Sequence, residues 1–352
     1  MGIKKVTGLK GADAVLAAFK KKNEDLVYGM GNAVESSETF PSGSVTLDAA
    51  IGSGGLPLDR MIEIFGPTSG GKTSLSLQFI AAWQRHETAR ALIEEREERI
   101  AAFFDLERTT DTDFMAGFGI DTEKVLYVRP NTAEQALQLS INLCKSGDIG
   151  CVVFDSVDAA QTEEDVKKDI DEISVATLPR KMSRATRELS KICTDSRVFF
   201  VFINQIRYKI GVMYGNPETT SGGNGLPYYA SLRFRVKSKP ASKTGDTLAM
   251  EVRVVKNKFA MQGKTAAMQF VCGRGVDPYL DLIECAKQKG IIRFAGSAVK
   301  DPETDLTICI GGRLGLKAHL EASPEEYEKL KSKCIGDLTI LEETETTDEE
   351  ED

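Results

Sequence analysis

The sequence predicts an α/β protein with a mostly parallel, twisted sheet that is flanked by helices on both faces. Apolar runs of strand length recur at Met61–Phe65, Ala101–Phe104, Val125–Val128, Cys151–Phe154 and Val198–Ile203. Stretches with helical periodicity separate most of these runs, at Ser74–Arg85, Thr132–Lys145 and Ala176–Cys193. Nearly continuous apolar strands that alternate with helices are typical of a parallel sheet covered on both faces.

The composition fits a globular chain with more than one domain. Its 352 residues are 41% hydrophobic and 28% charged, which permits a sizeable core and excludes global disorder. No apolar run has the length of a membrane span, and no secretory signal is readable at the N-terminus. The seven cysteines are odd in number and lack a C-x-x-C spacing, so we predict a protein of the reducing cytoplasm.

Shorter elements flank the predicted sheet. Residues 11–22 have an amphipathic helical pattern, and a helix of this length must dock on the protein's body or on a neighbouring subunit. We predict that 1–38 hold this helix and a linker, that 39–275 form the core, and that 276–340 form a small αβ domain. Within the core, Tyr228–Lys237, Leu248–Val255 and Ala266–Val271 are predicted as successive antiparallel additions to the sheet.

The charge is unevenly distributed along the chain. Residues 342–352 hold eight acids and no base, and we predict a disordered acidic tail over 341–352. Without these acids, the remaining 45 balance the 45 Lys and Arg residues, yet 180–264 hold 17 bases and five acids. A basic middle with an acidic tail is common in proteins that bind nucleic acid, although a solvated face with a solubility tail explains the charges equally well.

One motif indicates nucleotide binding. Residues 66–73 fit G-x-x-x-x-G-K-[ST], directly after a predicted strand and at the start of a predicted helix. In order they are Gly66, Pro67, Thr68, Ser69, Gly70, Gly71, Lys72 and Thr73. Such a loop turns backbone N–H groups and a helix N-terminus toward phosphate. We predict that Lys72 reaches the β- and γ-phosphates of a nucleotide and that the Thr73 hydroxyl ligates Mg²⁺.

Carboxylates that follow predicted strands complete the expected nucleotide site. Asp155 ends the run Cys151–Phe154, as a second metal-holding carboxylate beside such a loop does. Glu107 comes just after another strand, where it could orient water for hydrolysis. Asp105 competes with Glu107 for this role on spacing alone.

A long loop that begins near Gln205 has the composition of a surface for single-stranded nucleic acid. It interleaves the cations Arg207 and Lys209 with apolar and aromatic residues, and Gly215, Gly222 and Gly223 are predicted to make it mobile. Cations suit phosphates, while apolar side chains suit stacking between bases. The other residues predicted to contact DNA here are Ile210, Gly211, Val212, Met213, Tyr214 and Asn224.

Together these segments resemble the RecA family of bacterial and phage homologous-recombination ATPases. Residues 205–224 are similar to the family's second DNA-binding loop nearly residue for residue. The likeness also runs through Ser42–Asp48, Gly54–Pro57, Phe104–Glu107, Asp155–Val157 and Val254–Lys258. It implies a RecA-like ATPase that uses ATP and Mg²⁺, forms a helical filament of identical subunits on single-stranded DNA, and exchanges strands with homologous duplex DNA. Single-strand-binding and loader proteins are further partners that it implies.

The resemblance also implies roles for individual residues of the ATP site. Glu107 matches the family's catalytic glutamate, and Gln205 matches the residue that senses the γ-phosphate and couples it to the DNA loop. Lys256 and Lys258 match a pair that reaches the ATP of the adjacent subunit, although in isolation they fit a solvated strand face. Residues that match the family's adenine site are Asp111 and Phe114.

Further matches and departures concern the rest of the core. Residues 160–174 take the place of the first DNA loop. Arg180 and Arg187 match DNA-contacting arginines on the next helix, where an ordinary helix surface is the alternative. Cys272 stands where an aromatic residue usually covers the adenine. An insertion over 88–99 is predicted to be a charged helical extension on the outside.

Two other functions remain open from the sequence. A hexameric helicase shares the core fold, but the missing arginine-finger motif and the 205–224 loop argue against it. A mediator or regulator that binds ATP without exchanging strands is disfavoured by the intact set of Lys72, Glu107 and Asp155.

Overall fold

The structure, a computed structural model, describes residues 10–23, 37–167, 177–208, 217–241 and 246–336. The chain divides into two units, Met1–Glu38 and Thr39–Asp352. In the first unit, the predicted helix is present as α1 (Lys10–Lys20). The predicted acidic tail, the part of the first DNA loop over 168–174, and the loop residues 209–216, which include Lys209 to Tyr214, lie outside the described residues.

The second unit combines strands and helices along its whole described length. Its helices are α2 (Val45–Ile51), α3 (Lys72–Ile93), α4 (Thr112–Gly117), α5 (Ala133–Ser146), α6 (Glu163–Lys167), α7 (Thr177–Asp195), α8 (Gly225–Tyr229), α9 (Pro278–Gln288), α10 (Gly312–Ala322) and α11 (Pro324–Ile335). Its strands are β1 (Thr39–Phe40), β2 (Leu56–Pro57), β3 (Met61–Gly66), β4 (Ile100–Asp105), β5 (Val125–Val128), β6 (Ile149–Asp155), β7 (Phe199–Tyr208), β8 (Glu218–Thr220), β9 (Leu232–Pro240), β10 (Thr247–Asn257), β11 (Thr265–Val271), β12 (Gly275–Val276), β13 (Arg293–Ala295), β14 (Ala298–Lys300) and β15 (Thr307–Ile310).

The main sheet has the strand order β12-β11-β10-β9-β3-β7-β6-β4-β5, and β8 pairs with β7 beside it. Strands β9, β3, β7, β6, β4 and β5 run parallel to their neighbours in this series, while β10, β11 and β12 are antiparallel additions. The predicted fold class is therefore confirmed.

One strand direction and one boundary differ from the prediction. β9 pairs in parallel with β3, although it was expected as an antiparallel addition. Tyr228, the expected first residue of that strand, lies in helix α8 instead. A parallel neighbour requires a crossover of the chain, and β8 with α8 supplies it after β7. The five-residue α8 is too short to show helical periodicity in the sequence.

Side chains along the central strands alternate between two cores. In β6, Cys151 and Val153 pack on the face that α3 covers, whereas Val152 and Phe154 pack with α5 and α7. A strand that is buried on both faces needs apolar residues at every position, which explains its continuous apolar sequence.

The C-terminal part packs α9, α10 and α11 with the small antiparallel sheet β13-β14-β15. Its core includes Val45 and Ala49 of α2. Asp281 of α9 accepts hydrogen bonds from the Ser44 hydroxyl at 3.0 Å and from the Thr46 backbone at 3.1 Å. Polar and apolar contacts therefore join this part to α2. The predicted boundaries at 38, 275 and 340 stay predictions.

The insertion over 88–99 is helical only in its first half. Helix α3 continues to Ile93, and the chain then returns to β4 without a helix. Arg96 and Arg99 both pair with Glu87, a buried carboxylate on α3. These ion pairs hold the returning chain against the body, so the expected helical extension is shorter than predicted. Among the described helices, none is both long and apolar enough to cross a membrane.

Candidate functional site

Parallel strands bring their carboxyl ends to one edge of the main sheet. Gly66 at the end of β3 is level with Gln205 of β7, and Asp105 of β4 is level with Asp155 of β6. Because β7 lies between β3 and β6, four strand ends that are distant in sequence meet here. Ligands of open α/β sheets bind at this edge.

The loop between β3 and α3 combines close packing with exposed backbone. A Cβ atom at Gly66 would lie 2.1 Å from the carbonyl oxygen of Val236, so only glycine fits beside β9. Pro67, Thr68 and Ser69 are exposed at the crest of the loop, whereas Gly70 is buried. Gly71 precedes the first residue of the 22-residue helix α3. The positive end of the helix dipole therefore lies directly behind the loop and favours an anion there.

Lys72 is buried at the end of this loop, as the first residue of α3. Its ammonium group donates a hydrogen bond to the carbonyl oxygen of Pro67 at 2.8 Å. Burial lowers the pKa of Lys72, and the nearby carboxylates of Glu107, Asp155 and Asp158 act in the opposite direction. A phosphate in the loop would give this ammonium a charged acceptor in place of a neutral carbonyl.

Thr73 and Asp155 form a pair suited to a hydrated cation. The Thr73 hydroxyl donates to Asp155 Oδ2 at 2.7 Å, while the buried Oδ1 atom has no hydrogen-bond partner among the described residues. Burial raises the pKa of Asp155 to about 7, and repulsion from Glu107 and Asp105 adds to this effect. Mg²⁺ prefers oxygen ligands and keeps several waters. The unsatisfied carboxylate oxygen and the adjacent hydroxyl therefore fit Mg²⁺.

The carboxylate of Asp105 binds the turn that follows β4. This fully buried carboxylate accepts hydrogen bonds from the backbone N–H groups of Arg108 at 2.6 Å and Thr110 at 3.2 Å. It also accepts from the Tyr127 hydroxyl at 2.5 Å. These contacts stabilise the chain as it leaves β4 and keep the carboxylate away from solvent.

Glu107 has a different environment from Asp105. It is half-buried, and its Oε1 atom accepts a hydrogen bond from the Ser156 hydroxyl at 2.6 Å. Its backbone N–H donates to the carbonyl oxygen of Asp155 at 3.3 Å. The negative charge of Glu107 opposes the lowering of the Lys72 pKa by burial. The structure thus brings Glu107 to the loop and to the end of β6.

Asp111 and Phe114 lie at the start of α4. Asp111 caps the helix, because its carboxylate accepts a hydrogen bond from the Phe114 backbone at 2.8 Å. The half-buried Phe114 ring packs edge-on against Phe118, with 5.3 Å between ring centroids. A Cβ atom at Gly273 would lie 3.9 Å from the Phe114 ring. The turn that carries the exposed Cys272 is therefore next to this ring, which fits the predicted adenine region.

The described stems of the long loop form a two-stranded ribbon. β7 and β8 pair antiparallel, with Arg207 opposite Thr219. Buried Asn204 donates from its amide to the carbonyl oxygen of Ser221 at 2.9 Å and to Glu63 at 3.0 Å. Asn204 thus joins both stems beside the half-buried Gln205. The sequence prediction omits Asn204, because an amide next to Gln205 carries no signal of its own.

Close packing, rather than open space, surrounds the glycines after β8. Gly222 has φ of 83°, and a Cβ atom there would lie 2.8 Å from the Val157 side chain. Gly223 has φ of 78° and approaches Pro179 of α7 in the same way. Positive φ and close packing thus require glycine at both positions, while the expected mobility of the loop stays a prediction. Asn224 follows them as the N-terminal flanking residue of α8.

Arg180 and Arg187 lie on the exposed side of α7, with Arg184 between them. Spacings of four and three residues place the three guanidinium groups on one helix face. Arg187 donates to the Tyr229 hydroxyl at 3.2 Å. Arg184 is absent from the sequence prediction, although its spacing from Arg180 is a signal that identifies it.

Lys256 makes its contacts within its own chain. Its ammonium group donates to the carbonyl oxygens of Pro227 at 2.8 Å and Tyr228 at 2.7 Å. Burial lowers the pKa of Lys256 to about 8, and repulsion from Lys258 and Arg233 adds to this effect. Lys258 is exposed directly after β10. The expected reach of this pair to a neighbouring subunit stays a prediction.

The loop between β3 and α3 and the neighbouring strand ends form a site suited to phosphate. This fold and this site define the chain as a P-loop protein of the parallel α/β class. The model of the RecA N-terminal domain matches residues 13–277, and the chain belongs to the RecA family. Membership implies a P-loop ATPase fold, use of a nucleotide, DNA binding and a role in recombination.

A solved structure supports the fold independently. The crystal structure of the RadB recombinase is similar to this chain, with a TM-score of 0.50 at 18% identity. The similarity covers 68% of this chain and 99% of that chain. At this identity, the likeness concerns the fold alone.

Proposed function

We propose that this protein is an ATP-dependent recombinase that polymerises on single-stranded DNA and catalyses homologous pairing and strand exchange in DNA repair. One observation carries the proposal. The phosphate loop and the first stem of the basic loop lie on adjacent parallel strands, with Gly66 level with Gln205. A ligand contact at the γ-phosphate can therefore act on the DNA loop through the end of a single strand.

Within the ATP site, the residues have separate roles. Lys72 and the backbone of the loop bind the phosphates, and the Thr73 hydroxyl holds Mg²⁺ together with Asp155. The bound Mg²⁺ neutralises charge on the phosphates. Glu107, held by the Ser156 hydroxyl, orients the attacking water and accepts its proton. The contacts of Glu107 favour it over Asp105 as the general base, because the Asp105 carboxylate accepts hydrogen bonds from the turn after β4.

Residues at the rim of the site hold the base and sense the nucleotide. Asp111 and Phe114 contact the adenine, where Cys272 replaces the usual aromatic cover. Gln205 responds to the γ-phosphate and passes this response to the DNA loop. Only an interaction that differs between the ATP and ADP states can switch the protein, and the contacts of Glu107 and Gln205 are of this kind.

Assembly of identical subunits completes the ATP site. In a helical filament, Lys256 and Lys258 of one subunit reach the ATP of the next. Lys256 donates to two neutral carbonyl oxygens in the isolated chain, and phosphate oxygens are stronger acceptors for an ammonium group. The helix over 10–20 supplies a second contact between subunits.

DNA binds to cations of α7, of β7 and of the loop that follows β7. Arg180 and Arg187 of α7 and Arg207 of β7 contact phosphates of the single strand, together with the predicted loop residues Lys209 to Tyr214. Homologous duplex DNA is the second substrate. Single-strand-binding and loader proteins, which control access to the single strand, are the partners of this activity, and we place it in the cytoplasm.

ATP hydrolysis and electron microscopy test the assignment together. We expect single-stranded DNA to stimulate hydrolysis and long helical filaments to form on it with ATP. Closed rings that unwind duplex DNA would favour the hexameric helicase instead. ATP binding without DNA-stimulated hydrolysis would favour the mediator or regulator.

A further inference from the structure

The turn that follows β6 contacts both stems of the DNA loop through one carboxylate. On the first stem, Arg207 Nε donates to Asp158 Oδ1 at 3.0 Å, and Nη2 donates to both carboxylate oxygens at 2.6 Å. On the second stem, the Ser221 hydroxyl donates to Asp158 Oδ1. Asp158 therefore holds a residue on each side of the segment 209–216.

The accessibility of this ion pair lets DNA compete for its cation. The side chain of Arg207 is 59% exposed, whereas that of Asp158 is 12% exposed. A phosphate can therefore approach the guanidinium from solvent while the carboxylate stays in place. Arginine binds phosphate and carboxylate through the same pair of parallel hydrogen bonds. While Asp158 holds Arg207, the positive charge of Arg207 is neutralised within the protein.

The same turn is tied to the ATP site. Asp155, where the turn begins, accepts a hydrogen bond from Thr73, and Ser156 donates one to Glu107. Asp158 follows two residues later, and its negative charge opposes the lowering of the Lys72 pKa by burial. The segment 155–158 thus contacts both the site of the phosphates and the two stems of the DNA loop. A displacement of this turn on nucleotide binding would change both sets of contacts together.

We propose that Asp158 is a positioning residue that holds Arg207 away from DNA in the nucleotide-free protein and releases it when ATP binds. The proposal rests on the proposed function, because it takes Arg207 as a DNA contact. Asp158 acts as an internal competitor of the DNA phosphate. It makes the affinity for DNA depend on the nucleotide through a contact separate from Gln205.

Asp158→Asn tests the proposal, because the amide keeps an acceptor for Ser221 and loses the charge that holds Arg207. Binding of the full-length protein to fluorescein-labelled oligo(dT) is followed by fluorescence anisotropy. Without nucleotide, we expect the variant to bind about 3- to 10-fold more tightly than wild type. With a non-hydrolysable ATP analogue, the gain should be smaller. No gain without nucleotide, or the same gain in both conditions, overturns the proposal.

Arg207→Ala separates this inference from the proposed function. We expect this variant to bind oligo(dT) more weakly, with a salt dependence reduced by about one phosphate contact. Unchanged binding would refute Arg207 as a DNA contact and, with it, the inference. Weaker binding of Arg207→Ala combined with no gain in Asp158→Asn would refute the inference alone.

Three further variants control for charge and folding. The gain of Asp158→Asn should disappear in the Arg207→Ala background, and a gain that persists there means that Asp158 acts only by its charge. Asp195→Asn removes one acid from the exposed end of α7 and should bind like wild type. Asp158→Glu keeps the carboxylate and should restore affinity close to that of wild type.

Discussion

Three carboxylates lie at the ends of β4 and β6, and their surroundings give each a separate role. Asp105 is buried and bound to its own turn, Asp155 pairs with the Thr73 hydroxyl, and Glu107 is half-buried against Ser156. Repulsion among them contributes to the raised pKa of Asp155. At the residue scale, hydrogen-bond partners therefore distinguish groups that spacing in the sequence leaves equivalent.

Lys72→Ala should weaken nucleotide binding by roughly 10- to 100-fold, because a charge-assisted hydrogen bond contributes about 1.5–3 kcal/mol. ATP should then no longer activate DNA binding. Titration with a fluorescent ATP analogue measures the change. Lys145→Ala, at a surface ion pair with Glu188, is the control and should bind nucleotide like wild type. Wild-type affinity in Lys72→Ala would refute the P-loop assignment.

Glu107→Gln should leave ATP binding and filament formation intact while hydrolysis falls by roughly two to four orders of magnitude, the usual contribution of a positioned general base. Phosphate release in the presence of single-stranded DNA measures the effect. Asp105→Asn is the informative comparison, since it should lower the melting temperature by disturbing the turn after β4. Unchanged ATP turnover in Glu107→Gln would contradict its role as the general base and would favour Asp105 for that role.

Among the secondary-structure elements, register decides which of these residues meet. The parallel pairing of β3 with β7 and of β4 with β6 brings the phosphate loop, both acidic strand ends and the DNA loop to one edge. The contact of α2 with α9 then joins this core to the C-terminal part through Asp281.

The joint between α2 and α9 should respond to pH through Asp48. Burial, with repulsion from Asp281, raises the pKa of Asp48 from 3.8 to about 7. Since the folded state holds this proton more tightly than the unfolded state, the stabilisation is complete below about pH 4 and is lost as pH rises to about 7. Relative to Asp48→Asn, the melting temperature of wild type should therefore fall over this range. Parallel pH profiles in thermal denaturation would contradict this.

The sequence predicts the central strands, the phosphate loop and the acidic strand ends, because continuous apolar runs and a spaced motif are local signals. The parallel direction of β9 is missed, since the five-residue helix α8 provides the crossover without a periodic pattern. Asn204 and Asp158 are missed for another reason. Their importance comes from contacts with Ser221 and Arg207, which only the folded chain brings near them.

Over the whole molecule, charge is separated along the chain. The segment 180–264 contains the arginines of α7 and Arg207, and the 11 residues 342–352 include eight acids and no base. An acidic segment attached to a body with a basic region can compete with DNA phosphates for that region.

Deletion of 341–352 should therefore strengthen DNA binding, most clearly for duplex DNA and at low salt. The gain should shrink as ionic strength rises, because screening weakens attraction between exposed charges. Titration of labelled duplex and single-stranded oligonucleotides over a salt series measures it. Equal affinity of the truncated and full chains across the series would mean that the tail serves solubility alone.

Strand exchange by the purified protein tests the central claim most directly. Circular single-stranded DNA and a homologous linear duplex are incubated with the protein, ATP and Mg²⁺, and products are separated on a gel. We predict joint molecules that require homology and ATP and that are absent with Lys72→Ala. A wild-type protein that hydrolyses ATP in response to single-stranded DNA yet forms no joint molecules would contradict the account.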